Sequence, residues 1–158
     1  MRNGTASGIT FGIALGGFLD GILLHSILQW HHMISNVVAP TDMHGMSVNM
    51  LADGLFDAFC WLLTVAAVIL LYREARRASL PRARVYVGWI VFGAGFFNLL
   101  EGLIDHELLR IHHVRPTPSW LAWDLGFLAI AGVLFMVVGW LLTRGPRRSG
   151  NVQSIRAA

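Results

Sequence analysis

The sequence predicts an all-α membrane protein of four transmembrane helices, arranged as two duplicated hairpins around a pseudo-twofold axis along the membrane normal. Three observations carry this. First, 55% of the 158 residues are hydrophobic and 13% are charged, whereas a soluble domain carries about a quarter charged residues. Second, the apolar residues fall into four runs of roughly 20 or more, each enough to cross a hydrocarbon core of about 30 Å at about 1.5 Å per residue. Third, one stretch occurs twice. Asp20 to Met33 reads DGILLHSILQWHHM and Glu101 to Val114 reads EGLIDHELLRIHHV, in register at an offset of 81 residues. Six of the seven His lie inside the two copies, which points to duplication of a functional unit.

The runs extend from about Ile9 to Leu28, Met50 to Tyr72, Val85 to Leu108 and Trp120 to Leu142. Backbone groups in lipid must pair internally, so each run is a helix. Residues 1–145 then form one four-helix domain, with repeat one over about 9–72 and repeat two over about 85–142. Residues 146–158 read as a short, disordered cytoplasmic tail. Asp20 and His25 interrupt the first run and no small-x-small cleavage site follows closely, so it reads as a retained helix rather than a secretory signal. Gly12, Gly16 and Gly17 in the first run, with Gly88, Gly93 and Gly95 in the third, are the small residues that close helix contacts in lipid need.

Every basic side chain other than His is Arg, and the Arg positions orient the chain. Arg73, Arg76, Arg77, Arg82 and Arg84 lie between runs two and three, Arg144, Arg147 and Arg148 follow run four, and Arg2 precedes run one. The opposite loops hold Arg110 and Arg115 alone. The positive-inside rule therefore places both termini and the middle loop in the cytoplasm, with the duplicated motifs facing outward. Trp30, Trp120 and Trp123 suit an outer aromatic belt. These Arg form no aromatic-interleaved basic face, so nucleic acid is excluded as a partner. The single cysteine, Cys60, excludes an internal disulfide and any Cys-rich metal site.

Asp20, Asp53, Asp57, Glu101, Asp105 and Asp124 fall in the outer halves of the runs. Intramembrane acids are costly and mark function, and they need cations. Arg110 and Arg115 are too few to neutralise six carboxylates, while carboxylate and imidazole together are the ordinary ligand set of first-row metals. The expected metal residues are His25, His31, His32, His106, His112, His113, Asp20, Asp53, Asp57, Glu101, Asp105 and Asp124. On a regular helix Asn98, Glu101, Asp105 and His112 share a stripe within about 60°, with His106, Arg110 and His113 on the next. Asp20 with His31, and His25 with His32, repeat this in run one. His25 and His32 are about 10 Å apart in helical rise, which suggests two layers of ligands and a dinuclear centre. Structural zinc and iron-sulfur clusters are disfavoured. Met33, Met43, Met46 and Met50, near His44 in the outer loop, favour copper over iron or zinc because thioethers suit Cu(I).

The stretch DG-x-x-LH-x-x-LQWHHM, the Ala-Asp-Gly-Leu-Phe-Asp around Asp53, and Asn98 to Val114 resemble a family of small bacterial inner-membrane proteins of four helices, known as a domain of unknown function. The resemblance covers about the first 145 residues and implies the fold and a multi-pass inner-membrane location, with no activity attached. It also marks a departure at Asp57, where the family pattern carries His.

Three functions fit these readings. One is a membrane metalloprotein doing redox or metal-dependent chemistry at the periplasmic face, with Glu101 or Asp53 as base. Another is a metal-handling protein or metal donor to respiratory enzymes. The last is a b-type haem protein with His25 and His106 as axial ligands. The partners expected are the lipid bilayer and either a second copy or a respiratory-chain protein.

Overall fold

A computed structural model describes residues 4–77 and 79–144. The tail 146–158, read above as disordered, lies outside the described residues. Four helices are long and apolar enough to cross a membrane: α1 (Thr5–Ile27), α2 (Met43–Arg76), α3 (Ala83–Leu108) and α4 (Trp120–Thr143). The largest difference from the hydropathy reading is at the start of α2, which begins seven residues earlier than expected. Asp42 caps it, its Oδ1 accepting from Gly45 N at 2.7 Å, and such a cap satisfies an N–H that the first turn leaves orphaned. The added turns carry His44, Ser47 and Asn49, so hydropathy alone cannot find them.

α1 and α3 pack against each other at the centre, with α2 against α1 and α4 against α3. Accordingly 44% and 33% of the apolar windows of α1 and α3 are buried, against 11% and 17% for α2 and α4. Lipid supplies no hydrophobic force between helices, so close backbone approach must hold them. A Cβ on Gly12 would collide with the Ile90 carbonyl and lie 2.9 Å from the Cα of Gly93. Where α3 meets α4, a Cβ on Gly139 would strike the backbone of Phe92. No larger residue fits at either crossing.

Both central helices loosen at their outer ends. Asp20–Ile27 and Gly102–Leu108 are wound as π-helix. Leu28 N donates to Leu23 O at 2.8 Å and Leu109 N to Ile104 O at 2.7 Å, five residues back. Trp30 N then reaches Leu24 O at 3.0 Å, and Ile111 N reaches Asp105 O at 2.9 Å, six back. Gln29 and Arg110 follow with φ of 49° and 52°, a left-handed turn that ends each helix. Beyond them the two loops join over the bundle, Asn36 donating from its backbone N to Ile111 O at 2.9 Å and from Nδ2 to Arg110 O at 3.1 Å. The stripes expected from a regular 100° helix are therefore corrected. His31, His32, His112 and His113 sit on loops that fold back toward the bundle, and widened turns of this kind recur at functional sites.

Candidate metal centre

Glycine next to each acid begins the site. Gly21 lets α1 close on α2 so tightly that a Cβ there would lie 2.5 Å from Asp57 Oδ1, and Gly102 brings α3 within 2.8 Å of Leu128 on α4 by the same measure. The widened turns then aim His25 and His106 inward, where both are fully buried.

On the α1 side, His25 Nε2 lies 3.1 Å from Asp20 Oδ2 and its Nδ1 lies 3.0 Å from Asp53 Oδ1. His31 Nε2 stands 3.8 Å from Asp20 Oδ1. On the α3 side, His106 Nε2 lies 3.1 Å from Glu101 Oε1 and its Nδ1 3.7 Å from Asp124 Oδ1. His112 Nε2 stands 3.0 Å from the same Glu101 oxygen. The loops are exchanged across the top: His31 Nδ1 bonds Val114 O and His112 Nδ1 bonds Met33 O, each at 2.9 Å. Their rings stack at 4.6 Å with an interplanar angle of 6°. His25 lies edge-on to His31 at 4.6 Å and His106 edge-on to His112 at 4.7 Å.

A carbonyl oxygen only accepts, so His31 and His112 must each carry a hydrogen on Nδ1. Burial, with His112 and His25 nearby, pushes the His31 pKa down to about 2, which leaves its Nε2 as a bare lone pair. That lone pair faces a carboxylate. Both oxygens of Asp20, both nitrogens of His25 and of His106, His31 Nε2 and Glu101 Oε2 are all buried without a hydrogen-bond partner. They lie near one another, but none is aligned on another as a hydrogen bond requires. Unpaired buried polar atoms are costly, and a cation bound among them would satisfy several at once. Two groups of ligand atoms lie within 4.8 Å of one another, His25, His31 and His112 in one and Glu101, His106 and His112 in the other. His112 belongs to both.

Behind these donors stands a layer of orienting groups. Asp53 Oδ1 stands beside His25 Nδ1 and accepts from Met33 N at 2.8 Å, and its Oδ2 bonds His32 Nδ1 at 2.7 Å. Asp124 accepts from Val114 N at 2.9 Å and bonds His113 Nδ1 at 2.6 Å. Carboxylates and carbonyls on the far nitrogens of ligating imidazoles fix tautomer and ring direction.

Of the twelve expected metal residues, Asp20, His25, His31, Glu101, His106 and His112 converge. Asp53, Asp124, His32 and His113 stand one layer out, because each of these His spends its Nδ1 on a carboxylate that already holds a backbone N–H. Asp57 lies under Gly21 and Asp105 is half-buried, and neither joins a ligand group among the described residues. Met43 and Met50 are 84% and 63% exposed, so those two thioethers face away from the cluster. The carbonyls of Met33 and Val114 were not foreseen. The pattern shows that an apolar residue closes each copy, but a backbone acceptor has no signature in residue identity. His25 and His106 each lie edge-on to one ring of the stacked His31 and His112 pair.

No curated protein and no solved structure matches the chain. A family model described as predicted membrane protein (DUF2243) matches residues 7–146. With that match over most of its length and four helices able to cross a membrane, the chain belongs to the DUF2243 family of predicted membrane proteins.

Proposed function

We propose that this chain is an integral membrane metalloprotein with a dinuclear transition-metal centre at the outer end of its bundle, serving redox or metal-dependent chemistry. The observation that carries the proposal is the arrangement of His31 and His112, whose Nδ1–H groups are committed to carbonyls so that both Nε2 atoms face buried carboxylates. Asp20, His25 and His31 would serve one ion, and Glu101, His106 and His112 the other, with Asp53 and Asp124 orienting His25 and His106. The matched contacts of the two sets at sequence offsets of 81, with His25 and His106 each 3.1 Å from their acid and His31 and His112 each 2.9 Å from a carbonyl, support a duplicated hairpin with a pseudo-twofold axis through the His31 and His112 pair. A mixed imidazole and carboxylate set suits copper and iron alike, and zinc when chemistry is hydrolytic. Once the ions are bound, Glu101 and Asp20 are the carboxylates closest to any reacting atom.

Protein purified without chelator is expected to hold up to two transition-metal ions per chain and to show no Soret band. Metal-free protein from metal-replete cells would reject the centre. A metal-handling role is the second reading, favoured by the outer location of the ligands. The inner halves of the helices are apolar, which argues against a path through the membrane. Handling predicts ions that a chelator strips within minutes, and a resident cofactor predicts slow loss.

The Arg distribution supports both termini in the cytoplasm of a bacterial inner membrane. In a Cys60→Ser background, single cysteines at Thr41 and Thr117 should react with an impermeant thiol reagent from outside, and one at Leu80 should not. Labelling of Leu80 alone would invert the orientation.

A further inference from the structure

We propose that the chain binds a lipid-soluble hydroxylated aromatic molecule, of the quinol type, in a cavity on the flank of the bundle that ends at Asp20. The cavity lies between α1 and α4 and has a volume of about 470 Å³, within the range of about 300–1,000 Å³ usual for small-molecule sites. Its rim includes Leu23 and Ile130, 37% and 61% exposed on the bundle surface, so the opening faces lipid. Trp30, Trp123 and Phe127 line the walls, and Asp20 and Asn98 are the polar side chains within.

The gap exists because α1 and α4 each pack mainly on α3 rather than on each other, and because Gly126, where a Cβ would meet nothing within 4 Å, leaves a wall bare; Gly16 also lines it, packed on Ala94. In the other gap, between α3 and α2, Phe97 stands 81 residues after Gly16 and packs on Phe56 with ring centroids 6.0 Å apart. One flank is closed by aromatic rings and the other is open.

The chemistry inside selects the occupant. Three aromatic side chains favour a planar ring, through stacked or edge-on contacts. The polar groups at the inner end are acceptors. Asn98 spends its Nδ2 on Ala131 O at 3.1 Å, which leaves Oδ1 to accept, and both Asp20 oxygens lack a hydrogen-bond partner. Asn98 and Asp20 are only 2% and 4% exposed, so on the cavity side a donor to them comes from the occupant. Ring hydroxyls supply that donor and a hydrocarbon tail does not. At the outer lip the Arg115 guanidinium lies 5.1 Å and 5.3 Å from the ring centroids of Trp30 and Trp123, a cation–π contact that holds the two indoles in place. The apolar tail of the ligand would remain in the bilayer. Asp20 also belongs to the proposed metal centre, so the inference names the substrate class of that centre and, for its functional meaning, rests on that reading.

The test is equilibrium binding of a radiolabelled decyl-tailed benzoquinol to the protein in nanodiscs, without oxygen and relative to empty nanodiscs. Saturable binding of one molecule per chain is expected, displaced by a decyl-tailed phenol and not by decanol. A Cβ at Gly126 meets nothing within 4 Å, so Gly126→Phe fills the cavity without backbone collision and should weaken binding by about tenfold or more. Ala122→Phe, which narrows the cavity one turn away on the same helix, should act in the same direction if Gly126→Phe unfolds on thermal scanning. Gly54→Phe, equally free of neighbours but remote from the cavity, should leave binding unchanged. Absence of saturable binding, unchanged affinity in both cavity variants, or equal displacement by decanol would each overturn the proposal. The walls need no metal, so chelator-treated protein should still bind the quinol, and failure of the metal reading is thereby distinguished from failure of this one.

Discussion

Glu101→Gln should abolish the stabilisation that metal confers while leaving the metal-free fold almost as stable as before. Glu101 is 7% exposed, and its Oε1 lies 3.1 Å from His106 Nε2 and 3.0 Å from His112 Nε2. The amide keeps shape and hydrogen-bonding capacity but removes the negative charge that a cation needs. If ions hold this cluster together, they stabilise the native state by mass action, about 4 kcal/mol when free metal exceeds the dissociation constant about a thousandfold. Chelator should therefore lower the melting temperature of the wild type by several degrees, and that of Glu101→Gln hardly at all. Thermal unfolding with and without chelator, beside metal stoichiometry, checks this. Equal insensitivity of the two proteins to chelator would mean that the buried acids and imidazoles clamp the helices to one another and hold no metal.

His112→Ala should lose about one metal ion, because its Nδ1–H is committed to Met33 O and the one nitrogen left free, Nε2, can ligate a single ion of the pair. His25→Ala and His106→Ala each delete a member of one group, so each should lose about one ion, and the double variant both. His112→Ala should behave as the single variants do. Groups that ligate as a unit behave non-additively, so if the His25 and His106 variants each lose all bound metal, the centre holds one shared site. The orienting layer should behave differently. Asp53→Asn and Asp124→Asn should keep the stoichiometry and weaken affinity by about 10–100-fold, the usual cost of altering a carboxylate behind a ligating imidazole. Full metal retention in His25→Ala, His106→Ala and His112→Ala would sink the dinuclear assignment.

The two sets of variants also mark where inference from residue order stops. Apolar run length located four helices to within a few residues at most ends, since crossing a hydrocarbon core constrains length directly. It missed the start of α2, where a cap and polar turns project beyond the apolar run. The repeat drew attention to the acids and imidazoles now found together, but helical periodicity sorted them incorrectly. His112 was placed on a stripe with Glu101 and Asp105, yet it reaches Glu101 only after the helix widens at Gly102–Leu108 and the chain turns back at Arg110. His32 and His113 are indistinguishable in sequence from their neighbours His31 and His112. In space they point to Asp53 and Asp124 instead of to the cluster, because consecutive residues on a loop face different ways.

Residue order by itself determined that the chain is a four-helix membrane protein of its family, and that its scarce acids and imidazoles are concentrated in two matched stretches. These properties depend on composition, run length and spacing, which are local. Only the tertiary structure decided which six side chains converge, that His31 and His112 are tied by carbonyls from the opposite loop, and that Gly126 leaves one flank open where Phe97 and Phe56 fill the other. These outcomes depend on contacts between segments about 40 to 110 residues apart, and the ties of His31 and His112 run through backbone carbonyls that every residue carries alike, so no pattern of side chains along the chain could announce them.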